Sequence, residues 1–251
     1  MIAITRGVAA TIAQCELTHL GRTPIDVDHA RDQHRRYEEA LTDLGCELRR
    51  IPADDRYPDC VFIEDTAIVL DEVAIITRPG ALTRRGEVHA VAEAMRAHRP
   101  IVTIEEPATI DGGDVLRVDR TLFVGRSLRT NDEAIGQLRR IAVGYEVVSI
   151  PIDRALHLKS AVTRVAAGTL LLNPDWIEAE PFAKYDWIEV DPLEPFAANA
   201  LLVGETILYS SAYPRTRARL EARGLRVVTV DASELASAEG GVTCCSLLIA
   251  G

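Results

Sequence analysis

Two adjacent thiols near the end of the chain, Cys244 and Cys245, are placed where chemistry could be done. They follow Glu239-Gly240-Gly241-Val242-Thr243, where two glycines release the backbone into a turn, and they precede the apolar run Leu247-Leu248-Ile249. A thiol at the junction of turn and strand can face a cavity while the backbone behind it stays fixed, which suits a nucleophile. The same pair also reads as two small buried hydrophobes, since free cysteine is among the most buried residue types.

Polar residues interrupt the apolar segments elsewhere, and they do so at regular spacing. Glu64 and Asp65 fall between Val61-Phe62-Ile63 and Ala67-Ile68-Val69. Asp111 and Asp114 flank two glycines, His157 and Lys159 follow the apolar stretch that starts at Ala155, and Asn199 precedes Ala200-Leu201-Leu202-Val203. The steps are 47 residues from Glu64 to Asp111, 46 to His157, 42 to Asn199 and 45 to Cys244. Carboxylates, an imidazole, an amide and a thiol together form the inventory of a covalent hydrolase. Adjacent carboxylates in apolar surroundings need partners, either a bound cation or an arginine. His157 reads as part of an apolar strand. His29, His34, His89 and His98 fall on predicted helices among charges and read as solvated, and His19 lies in a lid-like loop.

The elements that would position these residues recur with the same period. Met1–Thr5 reads as a short strand, residues 7–24 as a long loop, residues 26–44 as a helix capped by Asp26 or Asp28 and stopped by Gly45, and Cys46–Pro52 as a strand with Cys46 in the core. Strand pairs are expected at 66–70 and 73–77, 114–118 and 121–125, 161–165 and 169–172, and 200–203 and 206–209. Helices are expected at 84–98, at 131–142 and from Pro214 to Gly224, with a short strand at Ile101–Ile104. A fifth unit begins at Thr243–Ile249 and lacks a second strand, which Met1–Thr5 could supply. The pattern predicts a mixed α/β unit repeated five times and closed into a ring, a five-bladed α/β propeller spanning residues 1–251 as a single catalytic domain. An open mixed sheet is the competing arrangement. In a closed ring the polar residues would converge near the axis.

Bulk composition bounds the partners. The chain has 251 residues, 47% of them hydrophobic, and a net charge of −10. Without a basic run, nucleic acid is not an expected partner. An acidic site suits a small cation. Five cysteines, an odd number, point to a reducing compartment, and without a signal-like start or a long apolar run the reading is a cytoplasmic protein with no membrane span.

Several segments carry a family likeness. They are Pro58-Asp59-Cys60-Val61-Phe62-Ile63-Glu64-Asp65, Ile76-Thr77-Arg78-Pro79-Gly80-Ala81 with Arg84-Arg85, Asp111-Gly112-Gly113-Asp114-Val115, Arg129-Thr130-Asn131, Leu156-His157-Leu158-Lys159, Ala197-Ala198-Asn199, Tyr213-Pro214-Arg215-Thr216-Arg217 and Gly241-Val242-Thr243-Cys244-Cys245-Ser246. Together they resemble the dimethylarginine dimethylaminohydrolase family, within the pentein group of guanidine-modifying enzymes, from about Arg6 to Ile249. The resemblance implies hydrolysis of Nω-methylated arginines to citrulline and methylamine or dimethylamine, through a covalent cysteine adduct and without a cofactor or metal. It makes Cys244 the nucleophile, His157 the general acid/base and Asp111 its orienting carboxylate. It assigns Asp59, Glu64 and Asp65 to substrate binding, Arg84 and Arg129 to the amino-acid end, and Leu17 to the lid.

A guanidinium is planar, cationic and a poor electrophile. Carboxylates must hold it, a soft nucleophile must attack its carbon, and an acid must protonate the departing amine. The expected partner is therefore a small cationic amino acid, acted on by a monomer or homodimer. A Cys/His/Asp cluster of this kind could also take up zinc as an inhibitor. Arginine deiminases, amidinotransferases and a non-catalytic module on the same ring are the competing readings. Deiminases usually carry an inserted helical domain for which this chain has no room.

Overall fold

The computed structural model describes residues 1–250. Its strands are β1 (Ile2–Arg6), β2 (Glu47–Ile51), β3 (Ala67–Val69), β4 (Ala74–Ile76), β5 (Ile101–Thr103), β6 (Val115–Val118), β7 (Thr121–Arg126), β8 (Glu146–Pro151), β9 (Val162–Ala166), β10 (Thr169–Leu172), β11 (Asp186–Glu189), β12 (Ala200–Val203), β13 (Thr206–Ser210), β14 (Arg226–Val230) and β15 (Ser246–Ile249). The α-helices are α1 (Val27–Asp43), α2 (Val88–Met95), α3 (Asp132–Ile141), α4 (Leu158–Ala161), α5 (Pro214–Ala222) and α6 (Ser233–Ser237). The strands form five three-stranded sheets: β15-β1-β2, β3-β4-β5, β6-β7-β8, β9-β10-β11 and β12-β13-β14.

Each sheet repeats one plan. A central strand pairs antiparallel with an inner strand and parallel with an outer one. Parallel pairing needs a crossover, and α1, α2, α3 and α5 supply it in four of the sheets. In the β9-β10-β11 sheet the crossover holds only the 3-10 turn Glu180–Phe182. Sequence analysis anticipated the strand pairs and helices but read only one of the later outer strands, the one at Ile101. The outer strands β8, β11 and β14 were not read, although Val147, Val148 and Ile150, Trp187 and Ile188, and Val227, Val228 and Val230 mark them.

The ring is closed. β1 pairs antiparallel with β15, Ile2 opposite Ile249 and Thr5 opposite Ser246, as the sequence pattern suggested. Among the described residues the buried apolar side chains form five clusters, one in each gap between neighbouring sheets. One cluster joins β1 and β15 to β3 and β4, three more fill the successive gaps, and the last joins the β12-β13-β14 sheet back to β1 through Val203 and Leu208. An open row of five sheets would have four such gaps. This arrangement leaves no sheet at the end of a row with an uncovered face, and the inner strands are buried on both faces.

Local signals explain the long helix. Asp26 accepts from the backbone N–H groups of Asp28 and His29, both at 3.0 Å, and Gly45 follows the helix at φ +88°. The expected helix over 84–98 is shorter, a 3-10 turn Leu82–Arg84 followed by α2. Among the described residues no helix is long and apolar enough to cross a membrane.

Candidate active site

The polar residues at recurring positions converge at the inner ends of the sheets. Asp65 sits in the 3-10 turn before β3, Asp111 just before the turn leading to β6, and His157 at the cap of α4. His157 is thus not on a strand as its apolar neighbours suggested. Its backbone is extended, and the N–H of Leu158 that follows donates to Asp114 Oδ1 at 2.9 Å. Asp114 also accepts from Ser127 and Thr130 hydroxyls at 2.6 and 2.7 Å, so this fully buried carboxyl fixes three neighbouring segments. Burial lifts its pKa to about 6 against the pull of His157 and the two hydroxyls.

His157 lies between two carboxylates. Nε2 is 3.1 Å from Asp111 Oδ2, and Nδ1 is 3.7 Å from Asp65 Oδ1. Asp111 is held in turn by the backbone N–H of Gly80 at 2.9 Å, and Asp65 by that of Gly113 at 3.0 Å. A Cβ on Gly113 would stand 2.7 Å from both Asp65 Oδ1 and His157 Nδ1, so only glycine lets these groups meet. Burial works against the imidazolium, but Asp65, the hydrogen-bonded Asp111 and Asp114 outweigh it and raise His157 to about 9. Asp65 is correspondingly held below the ordinary carboxylate range: burial opposes its charge, and His157 and Arg84 overcome that. Oxygens of Asp65 and Asp111 and a ring nitrogen of His157 lie within 4.8 Å of one another, a spacing suited to a metal ion. A metal would have to displace a proton held with a pKa of about 9.

The thiols divide as two neighbours in a tight turn can. Cys245 is buried in the apolar cluster beneath α1, whereas Cys244 is partly exposed and opens onto two cavities. Tyr37 of α1 donates its hydroxyl to Val242 O at 2.9 Å and lies 2.7 Å from Ser246 Oγ, bracketing the turn. Asn199 clamps the same turn, accepting from Thr243 N at 3.0 Å and donating to Thr243 Oγ1 at 2.9 Å. The N–H of Gly241 points at Cys244 Sγ from 3.3 Å. Burial first, then Glu64 and Asp65, push the Cys244 thiol up to about 12. The resting pair is therefore a neutral thiol and a charged imidazole at neutral pH.

The smaller cavity, about 20 Å³, is lined by Asp59, Asp65, Arg84, Asp111, Arg129, His157 and Cys244, and also by Glu16 and Glu239. The larger, about 220 Å³, runs outward from Cys244 past Leu156 to Trp176, Phe196 and Tyr213. Charged groups thus surround one side of the thiol and apolar ones the other.

Sequence comparison adds an independent observation. The family described as N,N dimethylarginine dimethylhydrolase, eukaryotic, matches residues 21–250. The N(G),N(G)-dimethylarginine dimethylaminohydrolase of Pseudomonas aeruginosa is 35% identical over 92% of this chain and 91% of its own. That of Streptomyces coelicolor is 38% identical over 98% and 95%. The chain belongs to the dimethylarginine dimethylaminohydrolase family. Solved structures agree. A cysteine-to-serine variant of the P. aeruginosa enzyme complexed with citrulline superposes with a TM-score of 0.94 at 33% identity, covering 98% of this chain and 97% of that one. A histidine-to-glycine variant of a dimethylarginine dimethylaminohydrolase, an adduct with S-methyl-L-thiocitrulline, gives 0.93 at 34%, covering 98% of each. The five-bladed α/β propeller is the fold of this chain.

Within this family setting, the remaining sequence-derived residues occupy distinct places. Asp59 accepts from the backbone N–H of Glu16, in the loop over residues 7–24, at 3.1 Å, and burial raises its pKa although Arg84 draws it down. Glu64 is on the other side of the thiol-bearing turn: Lys159 Nζ donates to it at 2.5 Å and Thr243 Oγ1 at 2.8 Å, and it lines a cavity of about 270 Å³ along the ring axis. Arg84 is 5% exposed. It donates to Asp65 Oδ2 at 2.6 Å, to both Glu87 oxygens, and to the carbonyl of Phe62 at 2.9 Å. Glu64 pairs with Lys159, a partner the sequence reading did not name, and Asp65 with Arg84, as one of its two alternatives had it. Arg129 is more accessible and donates to Thr18 Oγ1 at 2.9 Å. Leu17 packs against the apolar cluster that holds Cys245. Sequence reasoning missed Glu16, Glu87 and Glu239 as parts of this network. Only the placement of Glu239 directly before Gly240-Gly241 could have flagged one of them.

Proposed function

We propose that the chain hydrolyses Nω-methylated L-arginines to citrulline and dimethylamine or methylamine, with residues 1–251 acting as one catalytic domain. The observation that carries this reading is the meeting of the Cys244 thiol, the His157 imidazole and the carboxylates of Asp65 and Asp111 around one small cavity, in a chain of this family. The relatives complexed with citrulline and joined to S-methyl-L-thiocitrulline support an amino-acid substrate and a covalent adduct. Five unpaired thiols support action in a reducing compartment such as the cytoplasm.

Asp65 receives the guanidinium, with Glu64 and Lys159 setting the charge behind the thiol. Arg129 binds the substrate carboxylate, and Asp59 its ammonium group. Arg84 contributes chiefly by holding Asp65, and Leu17 by supporting the lid. The bound cation offsets the negative charge that keeps Cys244 protonated, so the thiol releases its proton to solvent and the thiolate forms as substrate arrives. Its sulfur attacks the guanidinium carbon. His157, held by Asp111, then protonates the departing amine, and an S-alkylthiouronium remains on Cys244. The neutral imidazole takes a proton from water, whose oxygen adds to the same carbon, and the C–S bond breaks as the added hydroxyl passes its proton to the departing sulfur, giving citrulline and free thiol.

Incubation with asymmetric dimethylarginine tests the reading. Equal amounts of citrulline and dimethylamine are expected. Absence of citrulline, or faster release of ammonia from unmethylated arginine, would overturn it.

A further inference from the structure

The backbone at Glu239 is out of keeping with its residue type. α6 ends in a paired hydrogen-bond cap, Glu239 N–H to Ala236 O at 3.0 Å and Gly240 N–H to Leu235 O at 2.9 Å. This cap places Glu239 at the position where helices usually carry glycine, and its φ is +60°. A side chain is sterically disfavoured there, and the chain has a glycine one position later. The residue in the strained position must therefore supply something a glycine cannot.

Its carboxylate shows what. Glu239 Oε2 accepts the backbone N–H of Thr18 at 2.9 Å, and Oε1 accepts those of His19 and Leu20 at 2.6 and 2.5 Å. Three successive amides of the loop over the site converge on one anion contributed from more than two hundred residues away. Successive amides pointing inward make a concave anion seat. The same residue adjoins Gly240-Gly241, whose second amide faces the Cys244 sulfur, and it lines both cavities at the thiol. The other ties on this loop, Glu16 N–H to Asp59, Thr83 to Glu16 and Arg129 to Thr18, hold residues 16 and 18.

We propose that Glu239 is the latch of the lid, a positioning residue that locks residues 18–20 over the cavity and joins lid closure to the thiol-bearing turn. The strain at φ +60° is retained because glycine, the unstrained choice, would leave the lid without its anion.

Glu239→Gly separates the two contributions, since it removes the carboxylate and relieves the backbone. The thermal midpoint should hold or rise, while amide hydrogen exchange at residues 18–20 speeds up by at least about tenfold and trypsin cuts sooner at Arg22. Glu239→Gln, which keeps an acceptor without charge, should fall between the two. With dimethylarginine, KM should rise about tenfold in Glu239→Gly and kcat should change less, as expected for lost closure over a bound substrate. The kinetic arm rests on the proposed reaction, and the exchange arm does not. If wild type fails to turn over dimethylarginine, the substrate reading falls and exchange alone decides the latch. Unchanged exchange at residues 18–20 in Glu239→Gly, or a KM equal to that of wild type in an active enzyme, would overturn the proposal.

Discussion

Two histidines in this ring are almost wholly buried, and their surroundings drive them in opposite directions. His157 stands at the axis among Asp65, Asp111 and Asp114 and is raised to about 9. His34 lies on the inner face of α1, 0% exposed, with neither ring nitrogen hydrogen-bonded. Glu38 is 3.5 Å from its Nδ1, but burial, with a smaller push from Arg50, lowers it to about 3. The difference shows that depth alone does not decide charge. At the axis the backbone brings three acids to one imidazole, while in the packing layer an imidazole serves as an apolar ring. The axis spends stability to hold reactive charge, and the layer under α1 holds the framework.

The sharpest way to break that contrast is through the thiols, which fall one in each region. Cys244→Ser should lower citrulline formation roughly a thousandfold or more, while Cys245→Ser should keep most activity and show its effect in the thermal midpoint. The reverse result would place the nucleophile in the packing layer. Next comes Arg84, buried between Asp65 and Glu87. Removing one partner of a buried ion pair leaves uncompensated charge, so Arg84→Gln should cost about 3–5 kcal/mol in urea unfolding. Arg129→Gln should instead raise KM for free dimethylarginine with little change in unfolding. Equal stability losses in the two variants would erase the distinction.

A smaller effect is expected from Asp111→Asn, about a hundredfold in kcat/KM. Losing this partner should lower the pKa of His157, so the alkaline limb of the pH profile shifts to lower pH. The smallest effects are stability slopes of opposite sign. The folded pKa of His157 lies above its ordinary value, so its contribution is complete below about 6.5 and fades as pH rises through about 9. The folded pKa of His34 lies below its ordinary value, so the unfolded chain binds the extra proton, and stability falls as pH drops from about 6.5 toward 3. His34→Leu should flatten that acid slope by about 1 kcal/mol or more and leave kcat unchanged. Urea midpoints measured against pH for wild type, His34→Leu and His157→Gln would show both slopes.

Much of this was legible in the residues. The 42-to-47-residue spacing from Glu64 to Cys244 located the axis, because a repeated unit brings the same point of each sheet to the centre. The short strand read at Met1–Thr5 supplied the second strand that the fifth unit lacked, and it closes the ring. His34 was read as solvated from its charged neighbours, although its spacing of four from Ala30, three from Tyr37 and seven from Leu41 put it on the buried face. There periodicity was the better guide than residue type. His157 was misplaced onto a strand because Asp114, which caps the start of α4, acts from 44 positions away. The Glu239 contacts to residues 18–20 leave no local trace for the same reason. Contacts that depend on chain crossings carry no periodicity.

The pairing of β1 with β15 also bears on how the protein is made. Bringing residue 2 against residue 249 is the most distant strand pairing in the fold, and such closures are entropically costly and late. The Cys244 turn leads directly into β15. During folding, the thiol should reach its cavity only when the circle shuts, so a half-assembled chain carries the carboxylates and the imidazole but no placed sulfur. Refolding monitored by activity should therefore lag behind refolding monitored by secondary structure.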